Sequence, residues 1–135
     1  MIKFLTSITR LLICTAPLAA EVDSIPIVIG GNDVMDACPS VGTVKGLNAK
    51  GDGFLSVRSG PGTKFLEKDR LIAGALFYMC DGKSARGSDW VGIVYSKNMN
   101  TDTCGVTSAI EDITVYKGPC KWGWINSKWV KVVAG

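Results

Sequence analysis

Apolar and polar residues alternate with a period of two from Leu55 to Arg58, where Leu55 and Val57 are interleaved with Ser56 and Arg58. Successive side chains of a strand point to opposite faces, so this pattern predicts a strand buried on one side, with Phe54 at its start. Further β-prone stretches run from Val41 to Leu47, from Leu76 to Cys80 and from Trp90 to Tyr95. The last of these alternates weakly but is aromatic and β-branched, a composition that suits a pleated surface. Trp122 to Val132 reads as two strand pieces about a tight turn at Asn126-Ser127-Lys128. Turn residues separate the stretches at Asn48 to Gly53, at Ser59-Gly60-Pro61-Gly62-Thr63 and at Asp81-Gly82-Lys83. In the second of these, Pro61 presets its φ and Gly62 can take the positive φ of a type II turn. Lys64 to Arg70 reads as a polar loop apart from Phe65 and Leu66, and Ser96 to Lys121 as a long insert. Short strands, Gly-rich turns and no helical periodicity together predict an all-β barrel or sandwich.

The first residues change the picture of where the protein acts. Met1-Ile2-Lys3, the apolar run from Leu11 to Ala16 and the small-residue stretch Pro17-Leu18-Ala19-Ala20 have the layout of a secretory signal peptide. The apolar run is far short of the roughly twenty residues needed to span a bilayer. Cleavage is expected near Ala20, with Ala19 as the alternative, leaving a periplasmic or secreted chain with no membrane span in the mature protein. This divides the sequence into a signal at 1–20, an N-terminal extension or edge strand at 21–40 and a domain at 41–135. In the extension, Pro26 within Ile25 to Ile29 favours a sheet edge, because proline cannot donate to a central ladder.

Removing Lys3 and Arg10 leaves 13 basic against 12 acidic residues, a net charge of +1. A nucleic-acid binder needs a clustered basic face, so nucleic acid is not an expected partner. The chain contains no histidine. That removes the imidazole on which Ser-His-Asp and Cys-His hydrolases depend, and the commonest ligand of catalytic zinc. Glu111 with Asp112, and Asp81 with Asp89, are the only carboxylate groupings worth weighing for glycoside cleavage. The first two are adjacent and point apart in extended chain, so no catalytic residue, cofactor or metal is expected.

Cys14 falls in the signal, leaving Cys38, Cys80, Cys104 and Cys120. In an exported chain four cysteines read as two disulfides with three possible pairings; zinc is the rival, but no Cys-x-x-Cys spacing exists. Cys104 with Cys120 is the preferred pair, closing a short loop worth about 3 kcal/mol on the chain-entropy model. Cys38 with Cys80 then remains, its longer loop worth about 4 kcal/mol on the same model.

Leu55-Ser56-Val57-Arg58-Ser59-Gly60-Pro61-Gly62-Thr63 resembles the signature of bacterial SH3 (SH3b) domains, a strand ending Val-Arg before a Ser-Gly-Pro-Gly-type turn. Asp89-Trp90-Val91-Gly92-Ile93 resembles that family's central strand, and Gly123-Trp124-Ile125-Asn126-Ser127-Lys128-Trp129-Val130 its closing segment. Ser56 stands where the family more often has Asn, and the Cys104 to Cys120 insert is longer than the usual connection. The resemblance implies an SH3-like barrel of about five strands that binds cell-wall peptidoglycan, through stem peptide or glycan, or peptide segments.

The candidate ligand contacts are Arg58, Ser59, Pro61, Asp89, Trp90, Tyr95, Trp122, Trp124 and Trp129. Ring faces grip sugars and extended peptides, which is why aromatics dominate the set. For Arg58 and Asp89 a structural role, such as an ion pair across the turn, is preferred over ligand contact, and for Trp90 and Trp124 a place in the core is preferred. The alternative function is a periplasmic protein-interaction role, as inhibitor or adaptor of an envelope enzyme, carried by the tied insert.

Overall fold

The computed structural model describes residues 9–16, 23–48, 53–81, 89–100 and 103–135. The cleavage region near Ala20 and the turn residues Ala49 to Asp52, Gly82 and Lys83 lie outside the described residues. Among the described residues nine strands form two antiparallel sheets: β1 (Val28–Ile29), β2 (Ser40–Val44), β3 (Phe54–Arg58), β4 (Glu67–Ile72), β5 (Leu76–Asp81), β6 (Trp90–Tyr95), β7 (Thr114–Val115), β8 (Lys121–Asn126) and β9 (Val130–Ala134). The larger sheet runs β4-β3-β8-β6-β5-β2-β9, and β1 pairs with β7 in the smaller one. A 3-10 turn, Ser127–Trp129, links β8 to β9, with Asn126 Oδ1 accepting from Lys128 N.

The all-β antiparallel class is as expected, but the closed five-stranded barrel is not what forms. The terminal strands β4 and β9 do not pair with each other, and β3 joins β8 only at Arg58 opposite Trp124. Extra strands arise where sequence periodicity is faint. β4 occupies part of the segment read as loop: exposed Lys68, Arg70 and Ile72 alternate with the more covered Glu67, Asp69 and Leu71, so alternation is present but mostly between charged residues. Charged side chains on an edge strand also discourage edge-to-edge pairing.

The Pro61 reversal differs from the type II prediction, because Gly62 does not have a positive φ. Instead Gly62 N donates to the Gly60 carbonyl at 2.9 Å, and Phe65 N to the Gly62 carbonyl at 3.3 Å. The chain therefore turns in two tight steps around Pro61. The Phe65 ring folds over Gly60, where any Cβ would lie 2.5 Å from ring atoms.

Two cores lie on opposite faces of the large sheet, and neighbouring residues separate between them. Phe77, Ile93, Tyr95 and Ile125 join Val44, Leu55, Val57 and Leu71 in one. Tyr78, Val94 and Trp124 join Ile27, Ile29, Cys38, Val106 and Tyr116 in the other. Strands covered on both faces carry apolar residues continuously, which accounts for the weak alternation of Trp90 to Tyr95. The second cover is supplied by the N-terminal extension and the insert, locked together as β1 and β7 with Val28 opposite Val115.

Both preferred disulfides are present. Cys38–Cys80 fastens the extension to β5, and Cys104–Cys120 closes the base of the insert. Buried Tyr116 reinforces the second: its Oη donates to the Cys104 carbonyl at 3.0 Å and accepts from Cys120 N at 3.1 Å. Two disulfides accord with an oxidising compartment. Among the described residues no helix is long and apolar enough to cross a membrane.

Candidate functional site

Strand β3 sends Leu55 and Val57 into the core and turns Phe54, Ser56 and Arg58 the other way. That outward row forms one wall of a groove of about 440 Å³, completed by Thr63 and Glu67 and, from the far side, by Trp90, Asn126 and Trp129. Trp90 opens β6 and Trp129 ends the 3-10 turn, so the β6 and β8 ladder brings them together with Asn126, which lies opposite Trp90 in register. The Asp89 carbonyl accepts from Ser127 N at 2.6 Å and holds the start of β6 against that turn.

The polar side of the groove is ordered by its own contacts. Arg58 Nη1 donates to the Phe65 carbonyl at 3.0 Å, which pins the guanidinium beside the Pro61 reversal. Glu67, opposite Arg58 in the β3 and β4 ladder, accepts from Ser56 Oγ at 2.5 Å and from Arg70 Nε at 2.7 Å. The Ser56 hydroxyl, then Arg70, hold the Glu67 carboxyl below the usual carboxylate range, so it sits in the groove as an ionised acceptor. The Arg70 guanidinium also lies 4.0 Å over the Phe54 ring.

Of the residues expected from sequence, Arg58, Trp90 and Trp129 line this groove, with half-buried Pro61 at the adjoining turn. Arg58 and Asp89 form no ion pair; the ion pairs among the described residues are Arg70 with Glu67 and Lys121 with Asp69. The others lie elsewhere. Trp124 is wholly buried, its Nε1 donating to the Ile25 carbonyl at 2.8 Å, so the extension has covered a ring expected among the ligand contacts. Ser59 is buried as well, its backbone spent on Leu66 and Ile25. Trp122 is capped by Lys68, whose Nζ sits 3.4 Å from the ring centroid and donates to the Trp122 carbonyl at 2.7 Å. Partial burial lowers the pKa of that lysine.

Tyr95 belongs to a different hollow of about 690 Å³, between the Leu71 to Leu76 hairpin and the Ser96 to Asn100 segment. Its hydroxyl donates to Asp69 Oδ2 at 2.8 Å, and Lys121 Nζ reaches the same oxygen at 3.3 Å. Burial opposes ionisation of Asp69, but the Tyr95 hydroxyl, the Arg70 N–H and Lys121 outweigh it and leave its pKa lowered. Burial, then Asp69, push the Tyr95 phenol well above its ordinary range.

Phe54, Ser56, Glu67 and Asn126 are not among the ligand contacts expected from sequence. The first two share the outward face with Arg58, a signal already contained in the period-two pattern. The places of Glu67 and Asn126 in the groove depend on strand pairing, which no local pattern shows. Among the described residues no group of three or more His, Cys, Asp or Glu side chains is placed to hold a metal ion. No family model, curated protein or solved structure matches the chain.

Proposed function

We propose that the protein is an exported, non-catalytic binding module of bacterial SH3 type that recognises peptidoglycan through the groove between β3 and the Trp90 and Trp129 rings. The observation that carries this reading is the juxtaposition of two half-buried indoles with Arg58, Ser56, Glu67 and Asn126 in one open groove. Aromatic faces beside fixed polar groups suit an extended peptide or sugar, which stacks on the rings while hydrogen-bonding along the polar wall. Stem peptide or glycan meets it with ring contacts to Trp90 and Trp129 and hydrogen bonds to the polar wall. Glu67, held ionised, accepts hydrogen bonds and is ill suited to donate a proton, which fits binding better than hydrolysis.

Arg58 and Glu67 balance one another in charge, so retention rests on contact area and hydrogen bonds. Purified sacculi are expected to retain the mature, oxidised protein at both low and moderate salt, unlike an unrelated exported protein of similar charge. No retention at either salt concentration removes the wall-binding reading.

A further inference from the structure

The extension and the insert leave a group of aliphatic side chains in the open: Val34 is 84% exposed, Ile113 67% and Met35 52%. Scattered exposed aliphatics are ordinary on a protein surface. These three are instead displayed by two chain segments that the fold ties together. Gly31 N and Asn32 N donate to the Ile110 carbonyl at 2.9 and 3.3 Å, and Ala37 N to Ser108 O at 2.9 Å. Gly30, at φ +81°, packs so closely that a Cβ there would collide with the Asp112 carbonyl. Asn32 Oδ1 accepts from Val34 N at 2.8 Å and from Met35 N at 2.9 Å, which sets the turn bearing both side chains. The two disulfides anchor the same two segments, so little ordering is left to pay for on binding.

The charged residues that flank these side chains most closely in sequence are acidic. Asp33 and Asp36 bracket Val34 and Met35, and Glu111 and Asp112 precede Ile113; all four are exposed. Residues 30–38 and 105–116 contain no lysine or arginine. None of the four carboxylates takes part in the ion pairs found among the described residues. Exposed aliphatics with flanking acids on two tied segments are complementary to an apolar stripe flanked by Lys or Arg, and the acids repel an anionic membrane surface.

We infer that this surface docks a basic amphipathic segment of another protein, with Val34, Met35 and Ile113 meeting its apolar side and the four carboxylates its cationic side. The surface shares no residue with the groove, so this inference stands apart from the wall-binding reading.

The probe is a peptide of alternating Leu and Lys pairs, compared with one carrying Glu for Lys and one carrying Ser for Leu. Calorimetric titration of the oxidised protein is expected to show binding of the Leu/Lys peptide, with the other two weaker by about tenfold or more, about 1.4 kcal/mol. The variant D33N/D36N/E111Q/D112N, and separately V34S/I113S, are each expected to lose at least about tenfold in affinity while keeping both disulfides and retention on sacculi. Equal binding by wild type and both variants, equal binding of the Ser-containing peptide, or binding to anionic phospholipid vesicles overturns the inference. Loss of sacculus binding in a variant that still binds the peptide bears on the groove alone.

Discussion

The indole Nε1 of Trp124 donates to the backbone carbonyl of Ile25 at 2.8 Å across 99 positions of sequence. This bond fixes the extension on the back of the large sheet, where Ile27 and Ile29 are buried beside the ring. Trp124→Phe keeps most of the apolar area and removes the donor, leaving a carbonyl without that partner. The expected cost is about 1–3 kcal/mol, read as a lower urea midpoint. Trp124→Ala is expected to cost about 3–5 kcal/mol, because a cavity is left as well.

The insert depends on its disulfide for its position over that core. Cys104→Ser with Cys120→Ser is expected to lower stability by about 3 kcal/mol on the chain-entropy model. Hydrogen exchange at Tyr116 N, which donates to the Ile27 carbonyl, is expected to quicken more than exchange in β6. Uniform acceleration throughout would mean that the insert and the large sheet unfold as one unit.

Acid should act through Asp69. Its folded pKa is lowered against the ordinary 3.8, so its contribution to stability is present above that value and is lost as pH falls through the folded pKa below it. Tyr95→Phe removes one of the hydrogen bonds responsible, so the Asp69 carboxyl should titrate at higher pH in the variant, observable by carboxyl NMR. Tyr95 has the opposite linkage. Its folded pKa is raised, so the stability it contributes is present below pH 10 and is lost as pH rises through the folded pKa. Spectroscopic titration should show Tyr95 ionising above the ordinary phenol range.

The tryptophans should separate in a binding assay. Trp129→Ala and Trp90→Ala remove walls of the groove and are expected to weaken retention on sacculi by about tenfold, a loss typical of an aromatic anchor. Trp122→Ala should leave retention unchanged, because its ring is engaged by Lys68 outside the groove. A loss with Trp122→Ala equal to that with Trp129→Ala would argue against the groove assignment.

Gly123 permits a close approach of β8 to β3. A Cβ there would overlap Val57 Cγ1 and lie 3.0 Å from the Arg58 carbonyl oxygen. Gly123→Ala is expected to cost about 1–3 kcal/mol in thermal or urea unfolding. Because Arg58 opposite Trp124 is the only pairing between these strands, the same change should also disturb the groove and weaken sacculus binding.

The strand character of β3, its division into an inward Leu55 and Val57 and an outward Ser56 and Arg58, and the tight turn after Asn126 were legible in the sequence. The alternation and turn chemistry that produce them are local. The all-β class followed from the same signals, and the preferred cysteine pairing from the short loop it closes. β4 was hidden because its pattern alternates charge rather than hydrophobicity, and its strand form comes from pairing with β3. Only the tertiary structure decided which tryptophan is core and which lines the groove. Trp122, Trp124 and Trp129 are alike in composition and neighbourhood, and they differ because Lys68 covers the first, Ile25 receives the second and the β6 and β8 ladder sets the third beside Trp90. Whether the sheet closed was also a tertiary matter, since closure requires the distant edges of β4 and β9 to meet, and no local periodicity carries that information.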